Sequence, residues 1–324
     1  MPKVSIITPL HNKGPYVEET LCSVLAQTMP DWELIVVENG STDNGPEVVR
    51  KLPDPRIQLV VSQGRGPGAA RNFGLGLATG EWILFLDADD LLEPDYLSMQ
   101  LACAKSGSEP GLIVGCTQEF DEGCPDKRWL RRPAGWRNEN EELMSFAISC
   151  APWPIHSALI RRSHLPPPLW WCEELDAFPS EDSAFWFPVI VNARIAWSDA
   201  TGALYRRRTI AGRNETRDIS LWIDGLTKII DHNVAALAVH GGRPTQGQCL
   251  SILRMLEEKY WIAYRVGKTQ AARKALEKAQ YWLAQCSPRS FSVVIRKVVG
   301  VHGAIYAGKA LRLVLAKVIS SSKT

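Results

Sequence analysis

The first hundred residues fall into short apolar runs separated by amphipathic stretches. Val4-Ser5-Ile6-Ile7-Thr8 is rich in β-branched residues and stopped by Pro9, which predicts a buried strand. Tyr16 to Gln27 places Val17, Leu21, Val24 and Leu25 on one helical face. A second strand is predicted at Trp32-Glu33-Leu34-Ile35-Val36-Val37, stopped by Asn39-Gly40. Ser41, Thr42 and Asp43 then offer capping oxygens for a short helix after Pro46. Ile57 to Val61 predicts a third strand, and Gly68 to Ala78 a helix of small residues. Trp82-Ile83-Leu84-Phe85-Leu86 predicts a fourth strand, which ends at an acidic cluster.

Strands alternating with helices of about 10 residues predict the α/β class, a mostly parallel sheet flanked by crossover helices. Ligands of such sheets sit beyond the carboxyl ends of the strands. The expected strand ends carry Pro9 to Asn12, Glu38 to Gly40, Gln63 to Gly68, and Asp87 to Asp90. All four polar clusters therefore converge on one edge.

Two of these clusters raise a chemical question. Gly64-Arg65-Gly66-Pro67-Gly68-Ala69 matches the dinucleotide fingerprint G-x-G-x-x-[GA]. It follows the third strand rather than the first and contains Pro67, so a glycine-rich turn into a tightly packed helix is the better reading. That helix still brings N–H groups and Arg71 to the edge, where phosphates or a base could meet them. Asp87, Asp89 and Asp90 repel one another at the end of an apolar strand and call for a counter-charge. Hard oxygen ligands in small number suit Mg²⁺ or Mn²⁺, with waters and phosphates completing the shell. One of Asp89 and Asp90 is also expected to cap the helix beginning near Pro94, a task that needs one oxygen rather than three acids.

Composition narrows the setting. The chain has 324 residues, 45% apolar and 22% charged, enough for a sizeable core and unlike a disordered chain. A net charge of +2 gives no case for nucleic-acid binding. Eight scattered cysteines with no Cys-x-x-Cys pair read as reduced thiols in a cytosolic protein. The start of the chain has no signal-peptide form, and no apolar run reaches the roughly 18 residues that would span a bilayer. The expectation is a cytoplasmic protein, soluble or peripheral on the inner face of the cytoplasmic membrane.

These residues resemble the large family 2 of inverting glycosyltransferases with the GT-A fold. Five motifs carry the resemblance, in order and at the family's spacing. They are Val4-Ser5-Ile6-Ile7-Thr8-Pro9 with Asn12, Ser23-Val24-Leu25-Ala26-Gln27-Thr28, Val37-Glu38-Asn39-Gly40-Ser41-Thr42-Asp43, Ala70-Arg71-Asn72, and Gly80-Glu81-Trp82 through Leu86-Asp87-Ala88-Asp89-Asp90. The resemblance implies a nucleoside-diphosphate-sugar donor lined by Pro9, His11, Asn12, Glu38, Asn39 and Arg71. It further implies that Asp87 contacts the ribose or the metal, and that Asp89 coordinates the Mn²⁺ or Mg²⁺ bridging the two phosphates. His11 stands where the family usually has Tyr, and Asn39 where an Asp often accepts a uracil N–H, which leaves the donor open between uridine and thymidine diphosphate sugars.

The resemblance continues more thinly beyond residue 104. Ile160-Arg161-Arg162-Ser163 resembles the strand and turn before the acceptor region, and Pro179-Ser180-Glu181-Asp182 resembles the family's Glu-Asp motif. In isolation that pair reads as the acidic first turn of a helix. Its position after the Asp87 cluster favours Asp182 as the base that deprotonates the acceptor, with Glu181 the runner-up. Tyr205-Arg206-Arg207-Arg208 resembles the segment that closes over the donor. Arg208 replaces a metal-binding His and either pairs with the diphosphate or belongs to a solvated basic turn. Of twelve tryptophans, Trp170 and Trp171 in a proline-rich loop are the candidate platform for an acceptor sugar, against the alternative of core packing.

Leu250, Leu253, Met255, Leu256 and Tyr260 repeat at helical spacing, and no acid follows Glu277. The stretch from Phe291 to Ile319 is read either as an amphipathic basic segment making peripheral membrane contact or as a helix packed on the protein. The expected organisation is a catalytic domain over 1–218, with a nucleotide-sugar half (1–104) and an acceptor half (105–218), then a helical region over 219–324. The expected function is an inverting glycosyltransferase moving sugar to a glycan or lipid-linked acceptor in cell-surface polysaccharide synthesis, with no nucleic-acid partner. The alternatives are a sugar nucleotidyltransferase and an inactive nucleotide-sugar-binding module.

Overall fold

The structure is a computed structural model that describes residues 2–105, 109–135, 141–165, 170–207, 218–239 and 241–287, together with 296, 300 and 303. The chain divides into two compact units, Met1–Thr216 and Arg217–Thr324.

The first unit opens with β1 (Val4–Leu10), α1 (Gly14–Leu25), β2 (Trp32–Glu38), α2 (Gly45–Arg50), β3 (Ile57–Val61), α3 (Pro67–Leu77) and β4 (Trp82–Phe85). It continues through β5 (Leu91–Leu92), α4 (Tyr96–Ala102), β6 (Leu112–Val114), β7 (Thr117–Asp121), β8 (Arg128–Arg131), α5 (Glu141–Ala147), β9 (Ala158–Arg161), α6 (Asp182–Asn192), β10 (Ile195–Trp197) and β11 (Ala203–Arg207). Seven strands form one sheet in the order β10-β6-β9-β4-β1-β2-β3. Pairings are parallel except those of β9 with β4 and β6. The second sheet has the order β5-β11-β7-β8. This is the mixed α/β architecture the alternation predicts.

Burial on both faces explains why the first strands read as near-continuous apolar runs. Ile6, Leu34, Val36 and Leu84 join Val17, Leu21 and Val24 of α1 in one core. Ile7 and Val37 point the other way, where α3 approaches so closely that a methyl group on Gly74 would lie 2.5 Å from Ile7 Cγ2. The strand containing Pro9 does not stop there. It runs on to Leu10, because the N–H that proline lacks would point toward β4, whose pairing has already ended at Phe85.

β1 to β4 are mutually parallel where they pair, so the four strand-end clusters do share one edge. β11 brings Tyr205 and Arg206 to the same place: the Arg206 N–H donates to Asp90 Oδ1 at 2.8 Å, and its Nε to the Asp89 carbonyl at 2.9 Å.

The elements of the second unit among the described residues are helices. α7 (Ile219–Val239), α8 (Gln246–Arg265) and α9 (Thr269–Gln285) bury Ile223, Leu253, Leu256, Ala275 and Ala279. A reciprocal Thr245–Gln248 capping box starts α8, and the residues repeating in the sequence from Leu250 lie on it. No helix of the described residues is long and apolar enough to cross a membrane. The segment from Phe291 to Ile319 lies outside the described residues apart from 296, 300 and 303.

Gly80 sets the entry into β4. Its N–H donates to Ser5 Oγ at 2.8 Å, and a methyl group there would lie 2.6 Å from the Ser5 backbone nitrogen. Backbone cannot yield as a side chain does. Gly80→Ala is therefore expected to lower unfolding free energy by about 1–3 kcal/mol, read by urea denaturation; an unchanged midpoint would show that this approach is not tight.

Candidate active site

Each acid at the end of β4 has a different environment. Asp87, about a third exposed, accepts from Arg71 Nη2 at 2.6 Å. Asp89 is mostly enclosed and pairs with Lys13 Nζ at 2.5 Å. Burial raises its pKa, the Lys13 ammonium opposes that rise, and the charge of Asp87 adds to it. Asp90 is buried and pushed well above the usual carboxylate range, first by burial and then by Asp89 and Asp87. It does not cap α4. Its oxygens face the Arg206 N–H and, at 3.2 Å, Nδ1 of His156. Burial lowers the pKa of that histidine to about 4 and keeps it neutral.

Among the described residues no group of three acid, histidine or cysteine side chains could hold a metal ion alone. The arrangement still fits a cation shared with substrate. Asp87 and Asp89 lie two residues apart at the end of β4, Asp87 is about a third exposed, and Mg²⁺-type sites commonly take one or two carboxylates with phosphates and water completing the shell.

The neighbouring strand ends are tied to one another more than they are open. Asn12 adopts a left-handed backbone, φ 52°, and its Oδ1 accepts the Thr42 N–H at 2.8 Å. Glu38 accepts the Ser41 N–H and hydroxyl at 2.5 and 2.7 Å. Asn39 donates to the Gly64 carbonyl at 2.7 Å and accepts the Gly66 N–H at 2.8 Å. The side chains of Asn12, Glu38 and Asn39, expected to line the donor, hold the turns at these strand ends. Pro9 lies in β1 beside them. His11 is exposed, and its Nδ1 donates to the Asn39 carbonyl at 2.9 Å while its Nε2 faces the Asn12 side-chain amide at 3.4 Å.

α3 meets the other half of the site. Arg71, 4% exposed, reaches Asp87 with Nη2 and lies 3.5 Å from Glu181 through Nη1. Asn72 and Trp171 exchange hydrogen bonds at 2.9 Å, side-chain amide to backbone in both directions. Asp176 accepts the N–H groups of Gly68 and Ala69 at 2.8 and 3.0 Å. Gly66 of the apparent dinucleotide fingerprint and its neighbour Gly68 are thereby explained, since a methyl group on Gly66 or Gly68 would lie 2.4 or 2.5 Å from an Asp176 oxygen. The N–H groups expected to meet phosphates at this turn meet a carboxylate of the chain instead.

Asp182 opens α6, beside Glu181. Its carboxyl is pushed up to about 7, chiefly by burial and then by the charge of Glu181, while Arg71 opposes the shift and Asp87 adds to it. Trp171 does not offer a face for a sugar. It is 4% exposed, stacked on Phe185 at 4.3 Å and covered by the Arg71 guanidinium. Core packing accounts for it, and the platform assignment is corrected. Trp170 is partly exposed, with its indole N–H held by the Leu165 carbonyl at 2.8 Å. Arg208 lies outside the described residues.

Sequence reasoning missed Lys13, His156 and Asp176 as members of the constellation. Lys13 was visible at a strand end but has no pattern that announces an ion pair 76 residues away. Asp176 had one signal: glycines at both 66 and 68 imply a bulky neighbour pressed against the turn.

The family model of Glycosyl transferase family 2 matches residues 5–162, the stretch that supplies β1 to β4 and the acids that follow β4. This part of the chain belongs to glycosyl transferase family 2. Among curated relatives, TuaG of Bacillus subtilis, named for teichuronic acid biosynthesis, is 35% identical over 152 residues, which is 46% of this chain and 60% of TuaG. ExoO of Rhizobium meliloti, a succinoglycan biosynthesis protein, is 40% identical over 98 residues, 30% of this chain and 28% of ExoO. The similarity thus spans less than two thirds of either relative. Among solved structures, S. aureus TarS 1–349 in complex with UDP aligns with a TM-score of 0.68 at 17% identity, covering 96% of this chain and 91% of that one. The Pyrobaculum calidifontis mannosyltransferase PcManGT, in complex with GDP-Man and Mn²⁺, aligns with a TM-score of 0.54 at 20% identity, over 96% and 81%. These likenesses establish the GT-A fold.

The raised pKa of Asp182 in this family 2 domain links to stability. The folded protein holds a proton that the unfolded chain has lost between pH about 4 and about 7. The contribution of this group is therefore complete at low pH, declines as pH rises through that window, and is constant above it. Asp182→Asn is expected to raise the melting temperature at pH 8 and to leave it nearly unchanged at pH 4, measured by calorimetry. Equal melting temperatures at pH 8 would contradict a carboxyl whose proton is held to about pH 7.

Proposed function

We propose that the protein is an inverting glycosyltransferase that moves a sugar from a nucleoside-diphosphate sugar to a hydroxyl of a glycan or lipid-linked acceptor in cell-surface polysaccharide synthesis. The observation that carries this reading is Arg71, a single buried guanidinium facing both Asp87 at the end of β4 and Glu181 beside Asp182. It joins a strand edge fit for a diphosphate to a carboxyl fit for proton abstraction.

Asp182 takes the proton of the acceptor hydroxyl. The acceptor oxygen forms its bond to the anomeric carbon from the side opposite the diphosphate. The bond from that carbon to the diphosphate breaks, and its electron pair leaves with the nucleoside diphosphate. A pKa of about 7 suits the task, because the carboxylate is present near neutral pH and still basic enough to accept a proton. Asp89 and Asp87 would hold Mn²⁺ or Mg²⁺, an ion that when bound offsets the charge of the departing diphosphate. His11 presents its exposed ring to the nucleoside.

The names of TuaG and ExoO support polysaccharide synthesis, and the UDP and UDP-GlcNAc complexes of TarS support a uridine nucleotide. Among the described residues no cysteine forms a disulfide, in keeping with the cytoplasmic site of action that belongs to this reading. A lipid-linked acceptor would be met at the inner face of the membrane.

A panel of UDP-, GDP- and dTDP-sugars with Mn²⁺ tests the reading through protection against thermal unfolding and release of nucleotide. At least one sugar should protect and turn over, and turnover should fall as pH drops below about 7. Asp182→Asn should keep the protection and lose turnover by about 10²–10⁴-fold. A wild-type protein that responds to no member of the panel would sink the donor assignment.

A further inference from the structure

Six residues before Asp182, the chain is anchored to a helix that belongs to the donor half. Asp176 accepts two N–H groups from the first turn of α3, where the helix dipole and unsatisfied donors favour an anion. Two features show that the fold is built around this carboxylate. Gly66 takes φ 108°, and both Gly66 and Gly68 lack the methyl group that would strike Asp176. The reciprocal Asn72–Trp171 bonds hold the other end of the same loop against α3, and Asn72 also donates to Glu173 at 2.8 Å.

From Asp176 the chain has little slack before α6. Phe178 N–H donates to the Leu175 carbonyl at 2.9 Å, and Ser180 takes a left-handed backbone, φ 61°. A non-glycine residue in that region persists where its surroundings hold it. It stands directly before Glu181 and Asp182, and Ser183 N–H donates back to the Ser180 carbonyl at 3.0 Å.

We propose that Asp176 is a positioning residue for the transfer reaction: bound to the first turn of α3, it holds the 171–181 loop so that Asp182 sits beside Arg71 and the Asp87 carboxylate. The proposal rests on Asp182 being the base. Because α3 carries both the N–H groups that bind Asp176 and the Arg71 that binds Asp87, one helix sets the base against the donor. The N-terminus of α3 is filled by the chain's own carboxylate rather than by a donor phosphate.

Two substitutions test this by different routes. Asp176→Asn keeps the shape and turns an amide NH₂ toward one of the two N–H donors. Gly68→Ala keeps the carboxylate but places a methyl group 2.5 Å from its Oδ1, driving it off the same turn. With the nucleotide sugar of the panel above that the wild type turns over fastest, both variants should lose kcat by about 10²-fold, the scale of a 1 Å misplacement, with donor KM within about twofold. The acid limb of the pH profile should move to lower pH, because a loosened loop exposes the partly buried Asp182 further to water. Asp176→Ala with Gly68→Ala should lose no more than Asp176→Ala alone, since the methyl group then meets no carboxylate.

A purely structural role would lower activity only in proportion to the folded fraction and leave the acid limb in place; that result, or wild-type kcat in both single variants, overturns the proposal. Asp182→Asn runs beside them. If that variant is inactive while Asp176→Asn is normal, the positioning role falls and the base stands. If Asp182→Asn is fully active, the base assignment falls and takes the positioning role with it.

Discussion

A guanidinium buried to 4% exposure has to be surrounded by anions, and in this protein they come from two distant parts of the chain. Arg71 draws Asp87 from the end of β4 and Glu181 from the start of α6 to one point, and breaking such a buried pair commonly costs about 3–5 kcal/mol. Because Asp87 is partly exposed, water lessens that cost on one side and leaves its carboxylate accessible to a ligand. The constraint thus ties the sheet edge to the start of α6, and the charge of Asp87 is felt at Asp182.

The difference between those carboxyls follows from their surroundings. Asp87 has a direct cationic partner and some water. Asp182 has a like-charged neighbour, burial, and Arg71 at longer range, so its proton is held to about pH 7. Asp90, one turn away in the acid loop, is closed in by Arg206 and neutral His156 and serves the joint between the two sheets. Three aspartates that look interchangeable in the sequence therefore divide into two that each pair with a cation, Asp87 with Arg71 and Asp89 with Lys13, and one enclosed by backbone and a neutral ring.

The sheet, its parallel order from β1 to β4 and the edge where the polar clusters gather were legible because they depend on local pattern. Periodicity in Val17, Leu21 and Val24, and continuous runs such as Leu34 to Val37, report burial directly. What was not legible depends on partners far apart in the chain. Nothing local to Asn39 says that its amide is engaged by Gly64 and Gly66, and nothing local to Trp171 says that Phe185 and Arg71 cover its ring. Gly66, the central glycine of the apparent nucleotide motif, and its neighbour Gly68 are there for a reason unrelated to nucleotides: they make room for Asp176, an acid 108 residues after Gly68.

Arg71 couples the sheet edge electrostatically to the carboxyl of Asp182. That coupling is tested most directly by carbon-13 titration of the aspartate carboxyls, with Asp182 assigned by its Asn variant, in the wild type and in Arg71→Gln. The account predicts an Asp182 pKa near 7 that rises further when the guanidinium is removed. An Asp182 that titrates in the ordinary carboxylate range near 4 in both proteins would contradict it.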